Sequence, residues 1–379
     1  MIVIRKIIKL FLDAMQHPNP SSLPTDAPWN TPWPASELER VPACPVCGSA
    51  SRTILHEDLI DNVFFVAPGK WTLHSCTQCS SAYLDPRPTQ TSIGRAYETY
   101  YTHQKTTVVE ISNYATLSPY RKLRRCLVNG YTNWRYSTCA QPSSVLGVLA
   151  AFAIPSMRKV WDIQYRHMPR LPKGGGRLLD VGCGDGSFLD KARTCGWEVF
   201  GLDSDPKAAA NAIVKNLTVH EGGVEYFDGK TELFDVVHLN HVIEHLYDPV
   251  KVLKACHALL KPGGELWLET PNIDSFGYAR FKKNWRGLET PRHLVIFNRQ
   301  SLALSFISAG FPAPRDLARP SPCAGMFRES FAMEHGRLPH ERLATPRALQ
   351  LRATISAFAE IFLPSRREFL IVKARKAVN

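Results

Sequence analysis

The stretch RLLDVGCGDGSFLDKARTCGWEVFGLD, residues 177 to 203, leaves this chain few folds to choose from. RLLDV is an apolar strand, GCGDG a tight turn, SFLDKARTCG a helix and WEVFGLD a second strand. The alternation continues with DPKAAANAIVKN as a helix, LTVH as a short strand, FDVVHLN as a strand and DPVKVLKACHALL as a helix closed by KPGG. ELWLETP is then a strand, SLALSFISAGF a helix and EFLIVKAR, residues 368 to 375, a late strand. Strands this apolar, alternating with helices, predict an α/β domain whose parallel sheet is covered on both faces. Ligands of such sheets sit beyond the carboxyl ends of the strands, the edge at which the glycine-rich turn lies.

In that turn Gly182, Gly184 and Gly186 let the backbone bend sharply and approach a ligand, and the following helix offers free N–H groups. A glycine pattern alone is shared by several nucleotide-binding families. Asp180 narrows the choice, because a carboxylate at the strand end repels a pyrophosphate and suits an amino-bearing ligand. Asp203, 23 residues later, is placed to accept bonds from a ribose diol. Together they bracket a nucleoside that carries an amino acid in place of a diphosphate. Cys183 reads as filler of the turn, and Asp205 with Pro206 as the start of a helix.

On these residues, 177 to 311 resemble the core of class I methyltransferases that use S-adenosylmethionine, LLDVGCGDG being similar to their first motif and GLDSD to their second. The resemblance implies a Rossmann-like domain in which Asp180 and the 182–186 turn face the methionine part and Asp203 the ribose. It places residues 221 to 223 near adenine and Asn240 on the cofactor side.

The acceptor is expected over FDVVHLNHVIEHLYDP, residues 234 to 249. His241 and His245 are four apart, so in a helical turn they share a face, with Glu244 able to orient a ring or bind a cation. A base working near neutral pH suits methyl transfer to a hydroxyl or acidic carbon, and imidazole has the right ordinary pKa. His245 is the first candidate, the alternative being a buried structural histidine. Relatives that methylate quinone precursors carry an acid at the 241 position to hold a divalent metal; His241 departs from that pattern. In residues 271 to 298, Trp285 is expected to stack on a substrate and Arg292 to meet a carboxylate or phosphate. His293 is either an acid–base group or a pin for its loop. WRGLETPRHLVIFN resembles a segment of methyltransferases from surface-polysaccharide or sugar-lipid pathways.

Upstream, Cys44 and Cys47 in CPVCGS and Cys76 and Cys79 in CTQC form two knuckles with 28 residues between them. That spacing points to tetrahedral thiolate ligation of structural Zn2+, with no open coordination position. Structural zinc contributes about 10–16 kcal/mol of apparent binding energy, enough to decide whether so small a unit folds. CPVCG, the second CxxC and YLDPRP at 83–88 resemble the N-terminal module of sugar C-methyltransferases, although Ser80 stands where glycine commonly follows the last cysteine. In those relatives a tyrosine from this region approaches the acceptor; Tyr83, Tyr97, Tyr100 and Tyr101 are the candidates.

The divisions expected are an N-terminal helix and Pro-rich arm (1–42), a zinc-binding module (43–90), a basic helical connector or lid (91–173) and the S-adenosylmethionine-binding domain (174–379). The opening MIVIRKIIKLFLDAM is either a docking helix or an interfacial anchor, and seven prolines between 17 and 42 make that stretch a tether or a wrapping arm. Net charge is concentrated: residues 101–179 hold twelve Lys or Arg against Glu110 and Asp162. Such a face attracts sugar-nucleotide or lipid phosphates, RNA or an anionic membrane, unless it is simply solvated. The apolar run VLGVLAAFAIP is about half the roughly 20 residues needed to span a bilayer. Ten cysteines are too few for a disulfide scaffold and the six outside the two knuckles show no pairing pattern, which fits a reducing, cytoplasmic setting, with peripheral contact at the inner face of a membrane as a further option.

The expected activity is methyl transfer from S-adenosylmethionine to an O or C atom of a small-molecule, sugar-nucleotide or sugar-lipid acceptor. The alternatives are an RNA methyltransferase, disfavoured because the basic run lacks aromatic interleaving, and a non-catalytic binding module on the same fold.

Overall fold

The computed structural model describes residues 27–97, 117–341 and 343–378. The N-terminal helix, the first part of the Pro-rich arm, Tyr100 and Tyr101 lie outside them. The remaining arm wraps: Trp29 and Trp33 are buried, Trp33 meets Trp71 edge-on at 5.4 Å, and Gly69 N–H donates to the Thr31 carbonyl at 2.8 Å.

The cysteine-bearing unit begins with a two-residue strand, β1 (Leu38–Glu39), and continues through β2 (Arg52–Leu59), β3 (Trp71–Cys76), β4 (Ala82–Leu84) and β5 (Arg87–Pro88), which pairs back on β1. The main sheet then takes β6 (Arg177–Val181), β7 (Glu198–Asp203), β8 (Thr218–Glu221), β9 (Phe234–Asn240) and β10 (Leu260–Pro271). The short β11 (Val295–Ile296) leaves this sheet, and β12 (Arg315–Asp316) and β13 (Phe369–Arg375) complete it. Its order is β12-β13-β10-β9-β6-β7-β8.

β6 to β10 run parallel, but β13 is antiparallel to β10 and β12 antiparallel to β13. The wholly parallel sheet expected from the sequence is therefore corrected to a mixed one. The cause is the last connection: helices 323–334 and 347–359 pack against each other between β12 and β13 and bring the final strand in reversed.

The central strands read as continuous apolar runs because both faces are covered. Leu178, Leu179, Val237, Leu239, Leu266 and Leu268 have no exposed surface, each worth roughly 1.5–3 kcal/mol in burial. Flanking helices start where the sequence supplies caps. Asp205 and Asp248 accept from the Lys207 and Lys251 amides, each with proline at the first helical position, and Asn298 and Ser301 cap each other at the helix 299–308.

The connector contributes helices 119–136, 146–153 and 155–164. The first two touch backbone to backbone: a Cβ on Gly130 would lie 1.8 Å from the Ser144 carbonyl oxygen, and one on Gly147 1.9 Å from that of Leu127. The hydroxyls of Tyr131 and Tyr136 both donate to Asp162 Oδ1 at 2.7 Å, tying the third helix to the first.

The smaller sheet has the order β11-β4-β3-β2. Its edge strand β11 comes from the far side of the sequence, with Val295 opposite Tyr83 and Ile296 opposite Ala82. Nothing in a two-residue strand announces this exchange.

Candidate active site

The strand β6 ends in Asp180, which is fully buried. Its Oδ1 accepts from Arg166 at 2.5 Å, and the Arg166 guanidinium lies 3.9 Å from the centroid of Phe188. Asp180 Oδ2 has no partner among the described residues. Burial pushes the Asp180 carboxyl up to about 6, with Arg166 opposing the rise. Sequence reasoning misses Arg166, which lies 14 residues before Asp180 and outside the glycine motif.

The turn that follows is held from the next strand. Gly184 N–H donates to Asp203 Oδ2 at 2.7 Å and Asp205 N–H to Asp203 Oδ1 at 2.9 Å. Gly184 has φ +56° and open space where a Cβ would stand, whereas a Cβ on Gly182 would meet Val242 Cγ2 at 2.3 Å. The glycine turn therefore rests directly on the segment leaving β9. Gly186 opens the helix 187–194. Cys183 is buried in the turn, and burial holds its thiol protonated.

An S-adenosylmethionine donor fits this cradle. The orphaned Asp180 oxygen suits its ammonium, Arg166 its carboxylate, and Asp203 its ribose, as its backbone bonds leave each oxygen a free lone pair. Near the end of β8, His220 stacks on Tyr226 at 3.9 Å, close to the 221–223 junction.

Asn240 ends β9 opposite Glu269 of β10. The next residue, His241, takes a left-handed backbone (φ +55°) and sets its ring between two acids, Nδ1 3.2 Å from Glu244 and Nε2 3.7 Å from Glu269. Desolvation opposes the charge, yet these carboxylates push His241 up to about 10. Burial would raise Glu244, but the His241 bond brings it down to about 2. Glu244 also accepts from Thr270 Oγ1 at 3.0 Å. His241 is thus held as an imidazolium, which makes it a partner for Glu244 and a poor base.

His245 stands apart from this pair. Its Nδ1 lies 3.0 Å from the Arg292 carbonyl and 3.0 Å from Tyr97 Oη. A carbonyl only accepts, so Nδ1 carries a proton, and in the neutral ring the lone pair falls on Nε2. A Glu244 oxygen and one ring nitrogen each of His245 and His293 lie within 4.8 Å of one another. Of the two candidate tyrosines among the described residues, Tyr97 stands beside this histidine and Tyr83 is fully buried in the cysteine unit's sheet.

The expected pocket wall takes a different form. Trp285 is fully enclosed and donates from Nε1 to Glu368 at 3.0 Å. Arg292, also without exposed surface, forms a two-pronged pair with Asp61 at 3.0 and 2.7 Å and donates to the Ala96 carbonyl at 2.8 Å. Both side chains are thus bonded to protein partners. His293 is buried and bonded through Nδ1 to the Gly287 carbonyl at 2.8 Å, and burial lowers it to about 4. The loop 285–294 thus bonds Trp285, Thr290 and Arg292 to distant segments at Glu368, Ile60 and Asp61, and its backbone positions His245.

The four cysteines come together as expected. Cys44 Sγ is 3.6 Å from Cys79 Sγ and Cys47 Sγ 3.5 Å from Cys76 Sγ, close to the about 3.8 Å edge that 2.3 Å Zn–S bonds imply. All four sulfurs lie within 4.8 Å of one another. The knuckles match: Gly48 N–H donates to Cys44 O and Ser80 N–H to Cys76 O, both at 2.9 Å. Ser80 adopts φ +59°, the conformation glycine would take more easily. The cluster suits Zn2+ as a closed, structural ion.

Part of the chain is similar to known methyltransferases. Residues 158–313 match a family model described as "Methyltransferase domain". Ubiquinone biosynthesis O-methyltransferase of Cereibacter sphaeroides is 37% identical over 126 residues, covering 30% of this chain and 50% of that protein. The protein of the same name from Ruegeria pomeroyi is 38% identical over 117 residues, covering 28% and 46%. The chain thus spans about half the length of the curated relatives it matches. A solved S-adenosylmethionine-dependent methyltransferase from Mesorhizobium loti aligns with a TM-score of 0.38 at 20% identity, over 57% of this chain and 97% of its own. Residues 158–313 thus match a methyltransferase domain, and the same chain carries a buried cysteine cluster able to chelate a metal ion.

Proposed function

We propose that this protein transfers a methyl group from S-adenosylmethionine to an oxygen or carbon of a small-molecule acceptor, and that the acceptor is a sugar carried on a nucleotide or lipid. The observation that carries the reading is the contact between Gly182 and Val242, which sets the donor turn against the segment bearing His245. The donor supplies an electrophilic methyl on a sulfonium. Asp180, Arg166 and Asp203 fix its two ends, so that reach and alignment do most of the catalytic work.

On the acceptor side, His245 Nε2 would take the proton released as the acceptor bonds the methyl carbon and the carbon–sulfur bond breaks, the sulfur leaving as the neutral thioether of S-adenosylhomocysteine. The resulting imidazolium is stabilised by the Arg292 carbonyl on Nδ1 and by the ionised Glu244 nearby. Tyr97 Oη accepts a share of the Nδ1 proton and so helps to fix the tautomer that leaves Nε2 basic. The cysteine-bearing unit supports this centre: its sheet receives β11, and Asp61, just after β2, holds Arg292. The sugar assignment rests on the likeness of the cysteine unit and the WRGLETPRHLVIFN segment to sugar-pathway enzymes.

The test is incubation of the purified chain with donor labelled on the methyl group and separate sets of sugar nucleotides, lipid-linked sugars, quinone precursors and tRNA. Label in a sugar fraction, lost in His245→Gln, supports the reading. Label in quinone precursors or tRNA alone, or none with a donor that binds, overturns it.

A further inference from the structure

The helical segment 119–164 carries a feature that methyl transfer does not use. Helix 146–153 buries Gly147 and Ala151 and turns Leu146, Leu149 and Phe152 outward, continuous with Val145 and Ile154 at its two ends. These five side chains range from 47% to 76% exposed. A contiguous apolar face of this kind marks an interaction surface.

Beside it lies a cavity of about 270 Å³, walled by Tyr131, Trp134 and Phe152 and lined by Arg135, Arg158 and Lys159. Phe152 belongs to both features: its ring meets Trp134 edge-on at 5.7 Å, and the Arg158 guanidinium lies 5.9 Å from its centroid. Among the described residues these three cations form no ion pair with a carboxylate, and the cavity's one acid, Asp162, already accepts two tyrosine hydroxyls. The cavity is therefore a cationic recess with aromatic walls, opening onto an apolar face.

Charge decides the occupant. The exposed Arg121 and Arg124 extend the positive field along the same hairpin. The apolar opening MIVIRKIIKLF, a segment of this chain with apolar residues to offer, carries Arg5, Lys6 and Lys9 and so has the same sign as the patch. It repels the patch, and both stretches suit one negatively charged surface. A phosphate beside hydrocarbon is the chemistry that satisfies a cationic recess and an apolar face together.

We propose that this face docks on an anionic lipid bilayer, with headgroup phosphates received by Arg135, Arg158 and Lys159 and with Val145, Leu146, Leu149, Phe152 and Ile154 entering the acyl boundary. The proposal is independent of the acceptor assigned above, and neither fails with the other.

The test is co-sedimentation of the full chain with phosphatidylglycerol–phosphatidylcholine vesicles, with pure phosphatidylcholine vesicles as the neutral arm and tRNA as a competing polyanion. The protein should sediment with the anionic vesicles at low salt and be released by high salt. Each cation near such a surface is worth about fivefold in binding, so the triple variant Arg135→Gln, Arg158→Gln, Lys159→Gln should bind on the order of 100-fold more weakly. Leu149→Ser with Phe152→Ser should lose binding that survives moderate salt in the wild type. Donor binding by calorimetry shows that each variant remains folded. Equal binding to neutral vesicles, wild-type binding in both variants, or a preference for tRNA over anionic vesicles overturns the proposal.

Discussion

Replacing Arg292 with Met keeps the buried stem and removes a charged end that has no exposure at all. The guanidinium makes three charge-assisted bonds, one to Ala96 O and two to Asp61. At about 1.5–3 kcal/mol each, these set an upper bound near 9 kcal/mol. The loss is smaller in practice, because Asp61 would not be left bare: the amides of Val63, Phe64, Val66 and Ala67 all donate to it at 3.0–3.3 Å. Methionine also packs where the guanidinium lay. The expected cost is about 3–5 kcal/mol, the usual range for a broken buried pair. At about 2–4 °C per kcal/mol, that lowers Tm by roughly 10 °C. Urea and thermal unfolding followed by tryptophan fluorescence measure it. A double-mutant cycle with Asp61→Ala should show coupling of about 2 kcal/mol or more. A cost under about 1 kcal/mol for Arg292→Met, or strict additivity with Asp61→Ala, would refute the view that this pair clamps the two segments.

Other outcomes are as direct. His245→Gln should lower kcat by about 10²–10⁴ and Tyr97→Phe by less, with donor affinity by calorimetry unchanged in both; weakened donor binding would assign these residues elsewhere. Because burial places Asp180 near 6 and a cationic donor favours its ionised form, donor affinity should be flat above about pH 7 and fall roughly tenfold per unit below about pH 6. Asp180→Asn should abolish that dependence, as titration calorimetry across the range would show. Elemental analysis should find one zinc per chain, lost in Cys76→Ser. Chelation should remove hydrogen-exchange protection from β2 to β4 before it reaches β6 to β10, and simultaneous loss in both would contradict a separate zinc-dependent unit.

How much is legible in the sequence follows from the range of each interaction. The strand–turn–helix around Gly184, the Asp205 cap and the paired cysteines are local patterns, and each appears where the sequence places it. β13 reads as a strand from its own residues, but its reversed direction depends on two helices whose apolar faces meet only in the fold. Trp285 and Arg292 read as pocket residues because aromatic and cationic side chains in a loop usually face a ligand. Their partners, Glu368 and Asp61, are 83 and 231 residues away, and no local pattern encodes such a pairing. Sequence does not rank Tyr97 above the other tyrosines for the same reason: its partner His245 is 148 residues distant. Arg166 carries no motif, and only its bond to Asp180 reveals it.

The strand β11 has a practical consequence for anyone cutting this chain. A truncation ending before residue 117 would keep all four thiolates yet lose the strand that covers Ala82 and Tyr83, baring an unpaired ladder on a small sheet. Such a fragment is prone to stick to its own copies even when fully metallated. Grafting the cysteine unit onto another catalytic domain would likewise succeed only if the recipient brings a matching edge segment of its own.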